Sequence, residues 1–504
     1  MLFNSFQFIL LFLPVVVCVY WLLPARPTHV RYVWLGCASC VFYILGEPVY
    51  PWLLFTSIAF NYFMGLGIER AGSLRKLWLI AALAGNLAAL IFFKYLNFAL
   101  ENIGSLSGAS IHFMHVTLPL GISFFTFTQI AYLVDVYKTK GSTDHNPVSY
   151  FLFVTFFPHL IAGPILHHKE MMPQFAEQKG KAAAANIAAG LSMFAAGLFK
   201  KVLIADSLAL TGSGLFTTAR TSGHIGFLPA WIAALTYTAQ IYFDFSGYSD
   251  MAVGIGRMFG IDLPINFNSP YKAASIIDFW RRWHITLSRF LRDYIYIPLG
   301  GNRNGEAHRF TNLFLTMVIG GIWHGAGWTF LLWGMLHGIY LIVNHLALLL
   351  RKRGWPLMPG FLAQAITMLC VVVAWVPFRA TSLRATLVIW KGMAGLDTMG
   401  VPSFVGRTAL GYLHQHVEQA SSLSRIDILL VAAALAACWI LPNSQQILAK
   451  SRIGLTSAGY QPAPPAPSWL TLDSAWKYLL FVGLVFGFAL RAIGGYSEFI
   501  YFHF

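Results

Sequence analysis

The sequence predicts an all-α, polytopic membrane protein, and three observations carry that prediction. Of its 504 residues, 57% are hydrophobic and 11% charged, against about 25% charged in a typical soluble domain. Its mean hydropathy is +0.63, a composition that suits lipid better than water as the solvent. The apolar residues also fall into runs close to the roughly 20 residues a helix needs to cross about 30 Å of hydrocarbon.

In chain order the candidate spans are Phe6–Leu23, Tyr32–Leu45, Tyr50–Gly67, Leu77–Leu100, Leu118–Tyr137, Tyr150–Leu166, Asn186–Ile204, Phe227–Phe243, Asn312–Ile322, Trp328–Leu350, Phe361–Phe378, Ile426–Leu441 and Trp476–Ala492. Several are short or interrupted by Gly and Pro. About ten to twelve true crossings are therefore expected, with the remaining pieces as short re-entrant or interfacial helices. The first run is expected to stay as an anchor: Met1–Ser5 carries no positive charge, and Trp21-Leu22-Leu23-Pro24 offers no small-residue cleavage site. The polar stretches Ser403–Arg425 and Lys450–Asp473 read as extramembrane loops, too short for cores of their own. Residues 1–504 are thus expected to form one multi-span membrane domain. There is no internal repeat of the kind common among transporters.

The net charge of +15 sits mainly in short connections, which points to positive-inside topology and lipid contact. No basic run interleaved with aromatics is expected to stand outside the membrane, so nucleic acid is a poor second as a partner and none is expected. Cys18, Cys37, Cys40, Cys370 and Cys438 all lie in apolar stretches and are expected to pack as small apolar residues. Cys37-x-x-Cys40 lacks the βαβ setting of a redox motif. No metal site is expected.

The apolar pattern breaks between Arg257 and Arg309, where eight Lys/Arg and four Asp/Glu mix with Trp, Tyr and Phe. Within it, D-F-W-R-R-W-H-I-T-L-S-R-F-L-R-D-Y-I (278–295) fits one amphipathic helix. Asp278, Arg281, Arg282, Arg289, Arg292 and Asp293 then share roughly a third of the circumference, opposite Phe279, Trp280, Trp283, Leu287, Phe290 and Leu291. His284 falls at the edge of the apolar face. A partly buried histidine bonded to a carbonyl and a functional one both fit that position. The arginines suit snorkelling to lipid phosphates or a cradle for an anionic donor such as coenzyme A; charge alone leaves both open.

The next stretch, I-G-G-I-W-H-G-A-G-W-T-F-L-L-W-G-M-L (319–336), sets His324 among Gly320, Gly321, Gly325 and Gly327. An ionisable residue inside an apolar span is expensive and becomes a functional candidate by default. A neutral imidazole there could take a proton from a hydroxyl near neutral pH, or could pack against a neighbouring helix. His337 and His345, without the glycine setting, read as structural or interfacial.

At these residues the sequence resembles the membrane-bound O-acyltransferase superfamily. The stretches 278–305 and G-I-W-H-G-A-G-W (321–328) carry the resemblance, supported by 118–137, F-P-H-L-I-A-G-P-I (157–165), 240–271 and F-I-Y-F-H-F (499–504). The likeness is greatest to the bacterial branch that contains the alginate O-acetylation membrane protein and the teichoic acid D-alanyl transferase. It implies many helices, some tilted or short, around a central funnel in a bacterial cytoplasmic (inner) membrane. It also implies that His324 is the catalytic histidine and His284 the second signature histidine. The activity implied is O-acetylation of an extracytoplasmic polysaccharide such as alginate or cellulose. A cytoplasmic thioester, acetyl-CoA, would be the donor, no cofactor would be permanently bound, and a periplasmic acetyltransferase would be a partner. Arg281, Arg282, Arg289, Arg292 and Arg303 are candidates for the donor's phosphates. His324 would act as general base, while His284 orients or polarises the reacting groups or helps stabilise the oxyanion. Two alternatives stay open: a transporter or flippase of an acetylated or lipid-linked intermediate, and a transferase of D-alanyl groups or one acting on peptidoglycan.

Overall fold

A computed structural model describes the chain except for residues 25–28, 109–115, 140–145, 177–182, 355, 357, 397–423, 452, 456–463, 469, 473–474 and 494–504. The described residues form helices, with one isolated bridge between Pro264 and Leu455. Among them, Pro51–Arg70, Gly72–Ser107, Ala183–Ser222, Trp328–Lys352 and Gly360–Arg379 are long and apolar enough to cross a membrane, and Gln7–Leu22 is a shorter apolar helix. The finer count of about ten to twelve crossings stands as an expectation. Most of 403–425 and all of the 499–504 motif lie outside the described residues.

Two runs depart from their expected bounds. The 227–243 run continues as a helix from Phe227 to Met258, through Asp244, Ser246, Ser249 and Asp250, all buried. Polar residues can continue a buried helix where partners satisfy them, and Asp244 and Asp250 have such partners. The 150–166 run is instead broken. The helix Pro147–Thr155 ends at Phe156 (ψ 105°), and a single turn, Phe157–Leu160, begins around Pro158, whose ring allows a helix start but removes a backbone donor.

The chain divides into two compact units. One comprises residues 1–198, 248–266 and 444–493. Its aromatic core joins Phe8, Phe42 and Phe157 at centroid separations of 5.5–6.1 Å. Buried side-chain hydrogen bonds tie its helices: Asn61 and Asn86 exchange amide bonds at 3.1 and 2.6 Å. Gln129 donates to Ser57 at 2.9 Å and accepts from Tyr150 at 3.2 Å. Asp250 accepts from Ser444 at 2.5 Å and from Gln445 at 3.2 Å. Such bonds hold helices together where lipid removes the hydrophobic drive between them.

The other unit comprises 199–247 and the described residues of 267–443. Here Lys201 lies 2.7 Å from Asp206 and 2.8 Å from Asp244, all three buried; the shared lysine offsets the cost of hiding two carboxylates. The helices Gly305–His324 and Trp328–Lys352 form a hairpin across Gly325–Gly327. Two glycines set its closeness. A Cβ on Gly321 would stand 2.5 Å from the Phe330 carbonyl oxygen and 3.0 Å from Gly334 Cα; one on Gly334 would stand 2.5 Å from the Met317 oxygen. Small residues at such crossings let backbones touch.

The cysteines divide as well. Cys438 is buried, Cys40 and Cys370 are partly so, and Cys18 and Cys37 are exposed; all five are free thiols. Packing inside the protein therefore describes Cys438 and, in part, Cys40 and Cys370. Cys18 and Cys37 sit on the outer faces of apolar helices.

Candidate functional site

The 278–295 segment is not one helix. Ile276–Arg282 is capped by the Ser275 hydroxyl, which accepts from the Asp278 N–H at 3.1 Å, and ends at Trp283 in extended conformation. His284 then adopts a left-handed backbone (φ 42°, ψ 56°), and a second helix, Ile285–Leu291, runs into a π-turn, Arg292–Tyr296. A non-glycine residue in this region is strained and persists only where its surroundings over-determine it. The wheel of a continuous helix therefore fails, because the break at 283–284 turns the two halves independently. What the break accomplishes is to drive Trp283 and His284 inward.

His284 is wholly buried. Its ring meets the edge of Phe245 at 4.7 Å and lies 6.5 Å from Phe267. The segment is not one of the crossing helices, and burial pushes the imidazole pKa down to about 3, so the ring is neutral at physiological pH. Phe267 packs on Trp283 at 5.0 Å, and Trp283 on Trp375 at 4.9 Å.

His324 is the last residue of the Gly305–His324 helix and is buried. Rings surround it: Trp323 at 4.9 Å, Trp333 at 5.0 Å and Phe378 at 5.1 Å. Phe378 and Trp333 both contact Trp375, at 5.3 and 6.0 Å. The two histidines that the sequence singles out thus belong to one aromatic cluster within one unit, joined through Trp283 and Trp375.

A third histidine belongs to it. His337 is fully buried. Its Nδ1 accepts from the Trp280 indole N–H at 3.2 Å, and its ring lies 4.8 Å from Trp333. Trp333 and His337 are four residues apart and so neighbours on the same helix face, and this buried, hydrogen-bonded setting agrees with the structural role expected of His337. His345 does lie elsewhere, accepting at Nδ1 from Arg309 at 2.6 Å.

Of the five candidate arginines, three lie at the surface. Arg281, Arg292 and Arg303 are exposed, and Arg282 and Arg289 half-buried. Arg282 pairs with Asp278 at 2.8 Å and Arg292 with Asp293 at 2.7 Å. A basic recess of about 350 Å³ is lined by Arg309, His345, Arg351 and Lys352. Among the described residues no group of three or more His, Cys, Asp or Glu could hold a metal.

Comparison with known proteins places this geometry. Residues 138–385 match the model of the MBOAT, membrane-bound O-acyltransferase family. Over 540 aligned residues the chain is 41% identical to the peptidoglycan O-acetyltransferase of Helicobacter pylori, covering 100% of this chain and 98% of that protein. The chain belongs to the membrane-bound O-acyltransferase family. It is also 41% identical to the probable alginate O-acetylase AlgI of Pseudomonas aeruginosa, over 79% of this chain and 76% of that one. To the teichoic acid D-alanyltransferase of Streptococcus thermophilus it is 28% identical, over 45% and 56%. As a member of this family it is a multi-pass membrane acyltransferase. The matched region encloses His284, His324, His337 and the rings between them.

Proposed function

We propose that the chain moves acetyl groups from a cytoplasmic thioester, acetyl-CoA, to O-acetylate an extracytoplasmic glycan. The observation that carries this reading is His324. It is a buried imidazole at the tip of a glycine-walled hairpin, inside an aromatic cluster that also holds His284. Such a ring, fixed by its neighbours, is suited to act as a general base. His324 takes the proton of the acceptor hydroxyl, and the freed oxygen attacks the thioester carbonyl. The carbon–sulfur bond then breaks, and the proton leaves with the thiol. His284, pinned by its left-handed backbone between Phe245 and Phe267, orients the reacting groups. The exposed Arg281 and Arg303 and the recess lined by Arg309, Arg351 and Lys352 offer cations for the donor's phosphates. The membrane is the bacterial cytoplasmic membrane, and a periplasmic acetyltransferase finishes delivery to the polymer.

For the acceptor, peptidoglycan has a specific observation in its favour over alginate. The similarity to the Helicobacter pylori protein runs end to end, whereas that to the alginate O-acetylase covers 79% of the chain at the same identity. The partial match to the D-alanyltransferase favours acetyl over D-alanyl. The test is to delete the chromosomal copy and measure acetate released by mild alkali from purified peptidoglycan and from exopolysaccharide. Loss from peptidoglycan, restored by the wild-type chain and not by His324→Ala, is the expected result. Unchanged acetate in both polymers, or full restoration by His324→Ala at equal protein level, refutes the reading.

A further inference from the structure

We infer that His337 and Trp333 form a pair of N–H donors for the acyl carbonyl oxygen of the substrate. This rests on the acetyl-transfer reading above and adds the group that receives negative charge.

The first ground is a tautomer. An indole nitrogen can only donate, and Trp280 Nε1 stands 3.2 Å from His337 Nδ1. Nδ1 is therefore the acceptor, and the neutral ring carries its proton on Nε2. The second ground is that this proton has nowhere to go. His337 is 0% exposed, and its Nε2 has no hydrogen-bond partner among the described residues. The third is that it is not alone. Trp333, 1% exposed, has an Nε1–H in the same condition. The two residues are one helical turn apart, with ring centroids separated by 4.8 Å. Buried donors left without partners cost free energy and are rare. Two on adjacent turns, one of them on the ring that also packs on His324 at 5.0 Å, supply N–H groups beside the proposed base for the charge that develops there.

The step balances without any further reagent. The acceptor O–H proton goes to His324 and the new oxygen–carbon bond forms. The carbonyl π pair moves onto oxygen, where the His337 and Trp333 N–H groups hydrogen-bond to it and keep their protons. The pair returns, the carbon–sulfur bond breaks, and the thiolate takes the proton from His324. Fixed donors aimed at developing charge accelerate acyl transfer because they need no reorganisation. Holding Nδ1 with Trp280 keeps His337 neutral and correctly turned, so Trp280 is a positioning residue.

Two substitutions separate this role from packing. His337→Asn keeps an oxygen near Nδ1 for Trp280 and removes the distal N–H; His337→Gln loses the Nδ1-like acceptor and keeps an N–H near Nε2. The variants are expressed in the deletion strain at matched membrane levels, and alkali-released acetate is measured. The purified full chain is then assayed for thiol release from acetyl-CoA. His337→Asn should lower kcat by about 10²–10³-fold with KM little changed, His337→Gln should retain more activity, and Trp333→Phe, which removes the indole N–H together with part of the ring, should lose activity. A packing role predicts the reverse order, with His337→Asn near wild type and His337→Gln impaired. His337→Asn within about threefold of wild type overturns the donor pair. If neither His337 variant accumulates, Trp333→Phe decides by the same threshold. If the wild-type chain itself restores no O-acetyl ester, the proposed function fails and the pair with it.

Discussion

Gly321→Ala tests whether the site depends on backbone contact in the Gly305–His324/Trp328–Lys352 hairpin. The added methyl would stand 2.5 Å from the Phe330 carbonyl oxygen and 3.0 Å from Gly334 Cα. Carbon–oxygen contacts begin at about 3.3 Å, so the helices must part by about 0.8 Å. Both obstacles are backbone, so no side chain can rotate away. Overpacking of this kind costs about 1–3 kcal/mol. Catalysis should suffer more than stability. His324 is three residues from Gly321, and Trp333 is next to Gly334, so the separation acts directly on the 5.0 Å contact between the two rings. Misplacement of about 1 Å can cost about 10²-fold in rate. The control is Gly214→Ala, where an added Cβ meets nothing within 4 Å; it should be neutral or slightly stabilising. The assays are alkali-released acetate in the deletion strain and the thermal midpoint of the purified protein in detergent. Wild-type acetate and an unchanged midpoint for Gly321→Ala would refute the reasoning.

Other substitutions probe other parts of the unit. His324→Ala should reduce transfer by about 10²–10⁴-fold, the contribution of a positioned base, with normal membrane accumulation; thiol release from acetyl-CoA by purified protein reads it. His284→Asn, a residue tolerant of the left-handed backbone, should accumulate normally yet transfer poorly, and wild-type acetate would show the ring to be dispensable. Lys201→Met should lose about 3–5 kcal/mol by stranding Asp206 and Asp244 as uncompensated buried carboxylates, seen as loss of folded protein on size exclusion; the triple replacement Lys201→Met, Asp206→Asn, Asp244→Asn should recover much of it. Arg303→Ala and Arg351→Ala should raise KM for acetyl-CoA with little effect on kcat, whereas unchanged KM in both would place the donor's phosphates elsewhere.

Much of the architecture was legible in the sequence because it follows from composition. A helix in lipid needs a long apolar run, so runs such as 50–67, 77–100, 328–350 and 361–378 stand out in the sequence and reappear in helices long and apolar enough to cross a membrane. The signature stretches around His284 and His324 led to the family. The bounds were less legible wherever a distant partner changed a local cost. Phe227–Met258 runs on past Asp244 because Lys201 is there to meet the charge, 43 positions away by residue number.

The sequence by itself determined that this is a many-helix membrane acyltransferase with histidines at 284 and 324 as its leading candidates. Solvent preference and motif identity are properties of residues in order. Only the tertiary structure decided that the 278–295 segment breaks at a left-handed His284, that Arg281 and Arg292 are exposed while Arg282 and Arg289 are half-buried, and that His337 joins the cluster with a tautomer set by Trp280. A helical wheel assumes unbroken local geometry, whereas a strained backbone is held by packing from Phe245, Phe267 and Trp375. Those residues lie as much as about 90 positions away in the chain, and no local periodicity encodes their approach.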